Sequence, residues 1–153
     1  MSDNTLTGRS NLSVTLVVRK TIRAGAERLF EAWTQPHQLK KWWGPVDVKC
    51  IEAQVDLRVG GQYRIGNQLP SGNILWITGE FESIERPHKL IYTWYVEGDS
   101  KRPERVTVHF EPVDGATEVM VVHALIPDEP TRARHEQGWL GCLAGLLQYV
   151  ERE

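Results

Sequence analysis

Six strand-like segments follow one another between residues 46 and 125, and short turn-forming runs separate them. Glycine, proline and aspartate occupy these intervals, as at Gly60–Gly61 and Asp114–Gly115, because they suit the backbone angles of tight turns. Short connections pair successive strands antiparallel. The middle of the chain therefore predicts a single antiparallel sheet, whose predicted strands are Val46–Leu57, Gln62–Gln68, Ile74–Ile84, Lys89–Val96, Arg105–Pro112 and Thr117–Leu125.

One further strand and three helices flank this run. Ser13–Ile22 alternates apolar and polar residues, as a half-buried strand does. Two short helices follow, with a break before Pro36 that ends the first and begins the second. The segment from Asp128 to Arg152 predicts a long C-terminal helix with an aspartate N-cap. The layout is α+β, with helices on one face of a sheet.

Composition limits the classes of protein that this chain can form. The 153 residues carry a formal charge of −2, and 41% of them are hydrophobic, which suits one folded domain. The near-neutral charge argues against nucleic-acid binding, which needs a basic face. No apolar run reaches the ~20 residues of a membrane span. We predict a disordered N-terminal tail over residues 1–12 and a single domain over residues 13–153.

Motifs for catalysis, metals and disulfides are missing from the sequence. Cys50 and Cys142 lie far apart and form no disulfide framework, and the five histidines show no metal-ligand spacing. No nucleophile elbow, phosphate-binding loop or dinucleotide fingerprint occurs. We therefore assign no catalytic residue, no metal and no cofactor. The polar N-terminal segment lacks the apolar stretch of a signal peptide, so we predict a cytoplasmic protein.

Three glycines on one side of the long predicted helix have two explanations. Each of Gly138, Gly141 and Gly145 costs about 1 kcal/mol relative to alanine inside a helix. They either allow another backbone to approach closely, or they leave space between the helix and the sheet. In the second case a curved sheet and this helix enclose a pocket.

Apolar and aromatic residues that share strand faces, together with the helix stripe, are candidates to line such a pocket. The alternative is an ordinary core, in which aromatic residues are found more often than in a ligand cage. The candidates are Trp42, Tyr63, Ile65, Leu75, Ile77, Phe81, Trp94, Val108, Phe110, Val121, His123, Trp139 and Leu143.

His123 and the adjacent pair Trp42–Trp43 each have alternative interpretations. His123 is either a hydrogen-bonded core residue or a group that orients a polar ligand. The adjacent indoles of Trp42 and Trp43 are expected to point in different directions. We therefore predict that Trp42 plugs the core and contributes to the pocket, and that Trp43 either closes the mouth of the pocket or forms a partner surface.

Several segments together resemble a known family. The run from Phe30 to Pro45, FEAWTQPHQLKKWWGP, and the turn DLRVGG from Asp56 to Gly61 look like those of bacterial homologues of the activator of heat shock protein 90 ATPase. His123 matches a histidine of that family, and HEQGW at residues 135–139, followed by Leu143, resembles the start of its final helix. The resemblance spans about residues 13–151. It places the chain in the START-like (SRPBCC) superfamily, which also contains polyketide cyclases and birch-pollen-allergen-like proteins.

The resemblance implies a helix-grip fold, in which a curved antiparallel sheet and two short helices wrap around a long C-terminal helix and leave an internal cavity. It implies no single activity, since members bind lipids, hormones or polyketides, act as co-chaperones, or catalyse cyclisation or hydrolysis. Our first hypothesis is non-catalytic binding of a hydrophobic or aromatic small molecule. The alternatives are a co-chaperone-like or regulatory interaction module and a cyclase- or hydrolase-type enzyme. A homodimer and a chaperone partner stay open.

Overall fold

The computed structural model describes residues 13–45, 47–98 and 102–151. The predicted N-terminal tail, residues 1–12, lies outside them. The elements in chain order are β1 (Val14–Ile22), α1 (Ala26–Thr34), α2 (Pro36–Trp42), β2 (Lys49–Val55), β3 (Gln62–Gln68), β4 (Ile74–Glu85), β5 (Lys89–Val96), β6 (Glu104–Val113), β7 (Ala116–Ile126) and α3 (Glu129–Glu151).

All seven strands form one antiparallel sheet in the order β1-β7-β6-β5-β4-β3-β2. The pairing register shifts within β1–β7, β2–β3 and β4–β5. Such irregularities bend a strand and increase its twist. The curved sheet carries α3 on its concave face, where the helix contacts β1, β7 and both short helices. The predicted α+β helix-grip fold is confirmed.

The second strand is shorter than predicted. It begins at Lys49 instead of Val46, which lies outside the described residues. Asp47 has φ of 69°, a left-handed conformation that lies outside the β region of backbone angles. The chain therefore turns after α2 before it enters the sheet.

Helix α3 begins and packs as the sequence predicts. The carboxylate of Asp128 accepts a hydrogen bond from the backbone N–H of Thr131 at 2.9 Å, which is an N-cap. The buried stripe of α3 consists of Trp139, Cys142, Leu143, Leu146 and Val150. Within the described ranges, no helix has both the length and the apolar character needed to traverse a bilayer.

Both explanations of the helix glycines are correct, at different positions. A Cβ atom on Gly141 would lie 2.7 Å from Cα of Pro45, and one on Gly145 would lie 2.7 Å from the carbonyl oxygen of Trp42. These two glycines let α3 touch the backbone at the end of α2 and just after it. A Cβ atom on Gly138 would meet nothing within 4 Å. The helix is therefore tightly packed beyond residue 140 and leaves open space one turn earlier.

We expect alanine to have opposite effects at two of these glycines. Gly141→Ala places a methyl group against backbone that cannot move alone, so the free energy of unfolding should fall by about 1–3 kcal/mol. Gly138→Ala meets no obstacle and should raise it by about 0.5–1 kcal/mol through helix propensity. Urea denaturation of both variants measures this difference. A Gly141→Ala protein as stable as Gly138→Ala would contradict the packing described here.

Candidate functional site

Five of the six tryptophans form a connected cluster between α3, which contributes Trp139, and the elements that it packs against. Their ring centroids lie between 5.1 and 6.3 Å from those of their neighbours. The members are Trp33, Trp42, Trp43, Trp94 and Trp139, and we call them the tryptophan cluster. Aromatic pairs at such distances contribute stability beyond the area that they bury.

The predicted partner surface at Trp43 is wrong, because both adjacent indoles point inward. Trp42 is 4% exposed and Trp43 is 6% exposed. Helix α2 ends at Trp42, and Trp43 takes an extended conformation with φ −70° and ψ 138°. This change of backbone direction turns the second indole into the cluster. Trp43 has no exposed side chain to offer a partner.

A cavity of about 180 Å³ lies next to this cluster. Its walls come from the segment after α2, from the paired ends of β3 and β4, from β5 and from the first half of α3. The lining residues are Trp43, Pro45, Val48, Asn67, Leu69, Leu75, Ile77, Trp94, Arg134, His135, Gly138, Trp139 and Cys142. We call it the larger cavity.

A second void, of about 20 Å³, lies on the other side of Trp43 and Trp94. Its walls include Tyr63, Ile65 and Phe81. A space of this size holds about one water molecule. Trp43 and Trp94 thus separate the larger cavity from a space too small for an organic ligand.

The structure divides the predicted pocket residues into three groups. Leu75, Ile77, Trp94 and Trp139 line the larger cavity, whereas Tyr63, Ile65 and Phe81 line the small void. The remaining six line neither and belong to the packed core: Trp42, Val108, Phe110, Val121, His123 and Leu143. For these six, the core interpretation is the one that the structure supports.

Sequence reasoning missed His135 and Asn67 in the cavity wall. Helical spacing carries the signal for His135, since it lies three residues before Gly138 and four before Trp139, on the same face. Asn67 is 5% exposed on β3, opposite Leu75 of β4. No pattern in the sequence separates it from a surface amide.

A buried hydrogen-bond network joins β6, β7 and α3 beside the cavity. The Oε1 atom of Glu104 lies 2.7 Å from Nε2 of His123 and 3.0 Å from Nε2 of His135. The indole N–H of Trp139 donates to Nδ1 of His123 at 3.0 Å. Glu104 was also missed in the sequence, because its partners come from two distant segments.

The network fixes the tautomer of His123. An indole nitrogen is only a donor, so Nδ1 of His123 accepts and the ring proton sits on Nε2, which donates to Glu104. Burial lowers the pKa of His123, and the hydrogen bond to Glu104 offsets this only in part. The fully buried ring is therefore neutral with both nitrogens paired, which leaves no nitrogen for an acid–base step or a ligand.

Glu104 is an ionised carboxylate in this network. Burial raises the pKa of Glu104, but the hydrogen bonds from His123 and His135 lower it by more, so that it lies below its usual value. The lowered pKa of Glu104 stabilises the folded protein. This stabilisation is fully present above the unfolded pKa near 4.5, and it is lost as the pH falls through the lower pKa of the folded state.

The two histidines and Glu104 contain three potential metal ligand atoms within 4.8 Å of one another. A metal on Nε2 of His123 would require the ring proton on Nδ1. That proton would point at the indole N–H of Trp139, which occupies the acceptor position. In metal sites the second ring nitrogen instead donates outward to an acceptor. The arrangement of Glu104, His123 and His135 therefore fits a hydrogen-bond network and does not fit a metal site.

Two buried polar atoms beside the larger cavity have no partner in the described part of the chain. They are Oδ1 of Asn67 and Nε1 of Trp94, and both residues line the cavity. Buried polar groups in proteins are nearly always paired, because an unmade hydrogen bond costs about 1–3 kcal/mol.

Comparison with known proteins places this architecture in a family. The sequence model of the family described as "Activator of Hsp90 ATPase homolog 1-like protein" matches residues 23–151. The chain belongs to this family. None of the curated proteins matches the sequence.

Solved structures share the family fold. Protein CV1439 from Chromobacterium violaceum is 24% identical with a TM-score of 0.82, covering 90% of this chain and 96% of its own. Protein NE0264 from Nitrosomonas europaea is 21% identical with a TM-score of 0.77, and the match covers 91% of this chain and 95% of NE0264. PFC0360w from Plasmodium falciparum, described as an HSP90 activator, is 25% identical with a TM-score of 0.67. The match covers 86% of this chain and 92% of PFC0360w. Family and fold together support a ligand-binding or regulatory role in general.

The neutral state of His123 gives a pH prediction. The unfolded chain takes up a proton at His123 near pH 6.5 and the folded chain resists it, so the free energy of unfolding should fall on acidification from pH 7 to pH 5. The slope from this one group reaches at most about 1.4 kcal/mol per pH unit. Urea denaturation across this range measures it.

His123→Gln is the informative variant, because glutamine can donate to Glu104 and accept from Trp139 without titrating. Its stability should depend less steeply on pH than that of the wild type. The exposed His88 provides the control, and His88→Gln should keep the wild-type slope. Equal slopes for wild type and His123→Gln would show that His123 does not resist protonation.

Proposed function

We propose that this protein binds a small, mostly apolar or aromatic molecule in the larger cavity. The observation that carries the proposal is the open space of about 180 Å³ at Gly138, between α3 and the curved sheet. Native cores contain few voids larger than a water molecule, because unfilled space forfeits packing energy. A space of this size beside a glycine in a helix is most simply explained by an occupant.

The volume limits the size of that occupant. A dry cavity of about 150 Å³ lined by aliphatic and aromatic side chains is large enough for benzene. The larger cavity therefore suits one six-membered ring with a short substituent. Most of its lining is apolar, and burial contributes roughly 25 cal/mol per Å² of apolar ligand surface.

Rigid walls favour binding, since little ordering is needed when the ligand arrives. Gly141 and Gly145 hold α3 against the segment that follows α2. Trp139 is anchored to His123 and stacks on Trp33 with a centroid distance of 6.0 Å. The cavity thus has a defined shape before any molecule enters.

The test uses substitutions at Gly138 that change the cavity without straining the helix. Thermal unfolding would be followed with a panel of single-ring aromatic compounds. A compound at 100 times its Kd should add about 2.7 kcal/mol to the stability of the wild type. Gly138→Leu should fill the cavity and abolish this shift, whereas the control Gly138→Ala should keep most of it.

Both variants are expected to be at least as stable as the wild type, so loss of the shift would not reflect unfolding. Ligand shifts of equal size in wild type and Gly138→Leu would place binding elsewhere on the protein. The absence of any shift across the panel would contradict the proposed function.

Regulation of a chaperone ATPase is the second candidate, and the likeness to the HSP90 activator from Plasmodium falciparum favours it. The test adds this protein in excess to a purified Hsp90-class chaperone and follows ATP hydrolysis. An unchanged rate would remove the candidate. A cytoplasmic location and a homodimer stay predictions.

A further inference from the structure

We infer that the larger cavity selects a single-ring molecule that carries a carboxylate. The ring lies inside the cavity, and the carboxylate lies at the surface of the protein beside Arg134. This inference rests on the proposed function, because it assumes that the cavity takes a ligand, and it adds the chemical class and the orientation of that ligand.

The larger cavity has a buried side and a side that reaches the surface. Ile77, Trp94 and Trp139 belong to the buried side and are at most 7% exposed. Val48 and Leu69 are half-buried, and Arg134 is exposed. A ligand that fills the space therefore has one end among apolar and aromatic side chains. Its other end comes near water on the side of Arg134.

Arg134 brings a positive charge to this exposed side and keeps most of its donors free. Among the described residues that line the cavity, it alone is permanently charged. Its Nη2 atom donates to Oγ1 of Thr131 at 3.1 Å, and no carboxylate oxygen of the described residues lies within 4.0 Å of its guanidinium. Asp128 attracts Arg134 from a greater distance, but its carboxylate already caps α3. A guanidinium has five N–H donors, so several can bind a ligand.

The lack of a carboxylate partner distinguishes Arg134 from other arginines of this protein. Seven of them have a carboxylate oxygen within 4.0 Å: Arg19, Arg23, Arg58, Arg64, Arg86, Arg105 and Arg132. Arg132 lies on the same helix and contacts both Glu129 and Glu136. An arginine beside an apolar cavity that lacks such a partner is suited to receive one from a ligand.

A carboxylate suits this position better than other groups. Its two oxygens match the planar guanidinium and accept two parallel hydrogen bonds. An ammonium group would be repelled by Arg134, and a hydrocarbon would gain nothing from it. The opposite orientation, with the carboxylate inside, would bury an ion without a partner, which is strongly unfavourable. It would also bring a second anion toward the buried network that holds the ionised Glu104.

The experiment compares three probes that share a methyl-substituted ring: 4-methylbenzoate, p-xylene and 4-methylbenzylamine. Calorimetric titration measures the affinity of each for the wild type and for Arg134→Gln, which removes the charge. The control is Arg19→Gln, which removes an equal charge from an exposed position on the edge strand β1. The cavity is lined from β3, β4 and β5, several strands away.

Arg134→Gln should weaken 4-methylbenzoate about fivefold and leave p-xylene unchanged. A fivefold change corresponds to about 1 kcal/mol, the upper end of the range for exposed ion pairs. Arg19→Gln should keep the wild-type affinities for both. In about 1 M salt the difference between wild type and Arg134→Gln should largely disappear, because charges at the surface are then screened. Far-UV circular dichroism checks that each variant folds.

The outcomes separate the two proposals. If p-xylene binds and 4-methylbenzoate has equal affinity for wild type and Arg134→Gln, the inference is overturned and the proposed function stands. Tighter binding of 4-methylbenzylamine than of 4-methylbenzoate overturns it as well. Retained binding of 4-methylbenzoate by Gly138→Leu also does so, because the anion would then bind outside the cavity. If none of the probes binds to the wild type, the proposed function and this inference both fail.

Discussion

The close contact between α3 and the backbone after α2 determines the shape of the whole interior. Gly141 faces Pro45, and Gly145 faces the carbonyl of Trp42, at distances where no side chain fits. Any residue with a Cβ atom at these positions would push the helix away from the tryptophan cluster. Two missing side chains thus allow five indoles and a 23-residue helix to share one side of the sheet.

The same helix has a different environment one turn earlier. There, Gly138 faces open space, while Trp139 is tied through His123 to Glu104. The network holds the helix at the sheet without filling the gap beside it. Tight packing at Gly141 and Gly145 and a polar anchor at Trp139 hold the helix in place beside the open space.

The fold was largely predictable from the sequence because periodicity and turn residues report local structure directly. The site was predictable only in part. Alternation along a strand predicts that Val108 and Ile77 are both buried. It does not show that Ile77 lines the larger cavity whereas Val108 packs in the core. The inward turn of Trp43 depends on one pair of backbone angles, which no residue pattern specifies. Glu104 meets its histidines only through tertiary structure.

The tryptophan cluster has a consequence for spectroscopy. Excitation energy passes between indoles whose rings lie 5–6 Å apart, so we expect quenching of one member to lower the emission of the others. Trp43, Trp94 and Trp139 border the larger cavity, whereas Trp76 sits apart beneath the guanidinium of Arg64 at 3.7 Å. A quenching molecule in the cavity would dim nearly all of the ultraviolet emission, which makes the protein a dye-free reporter of its own occupancy.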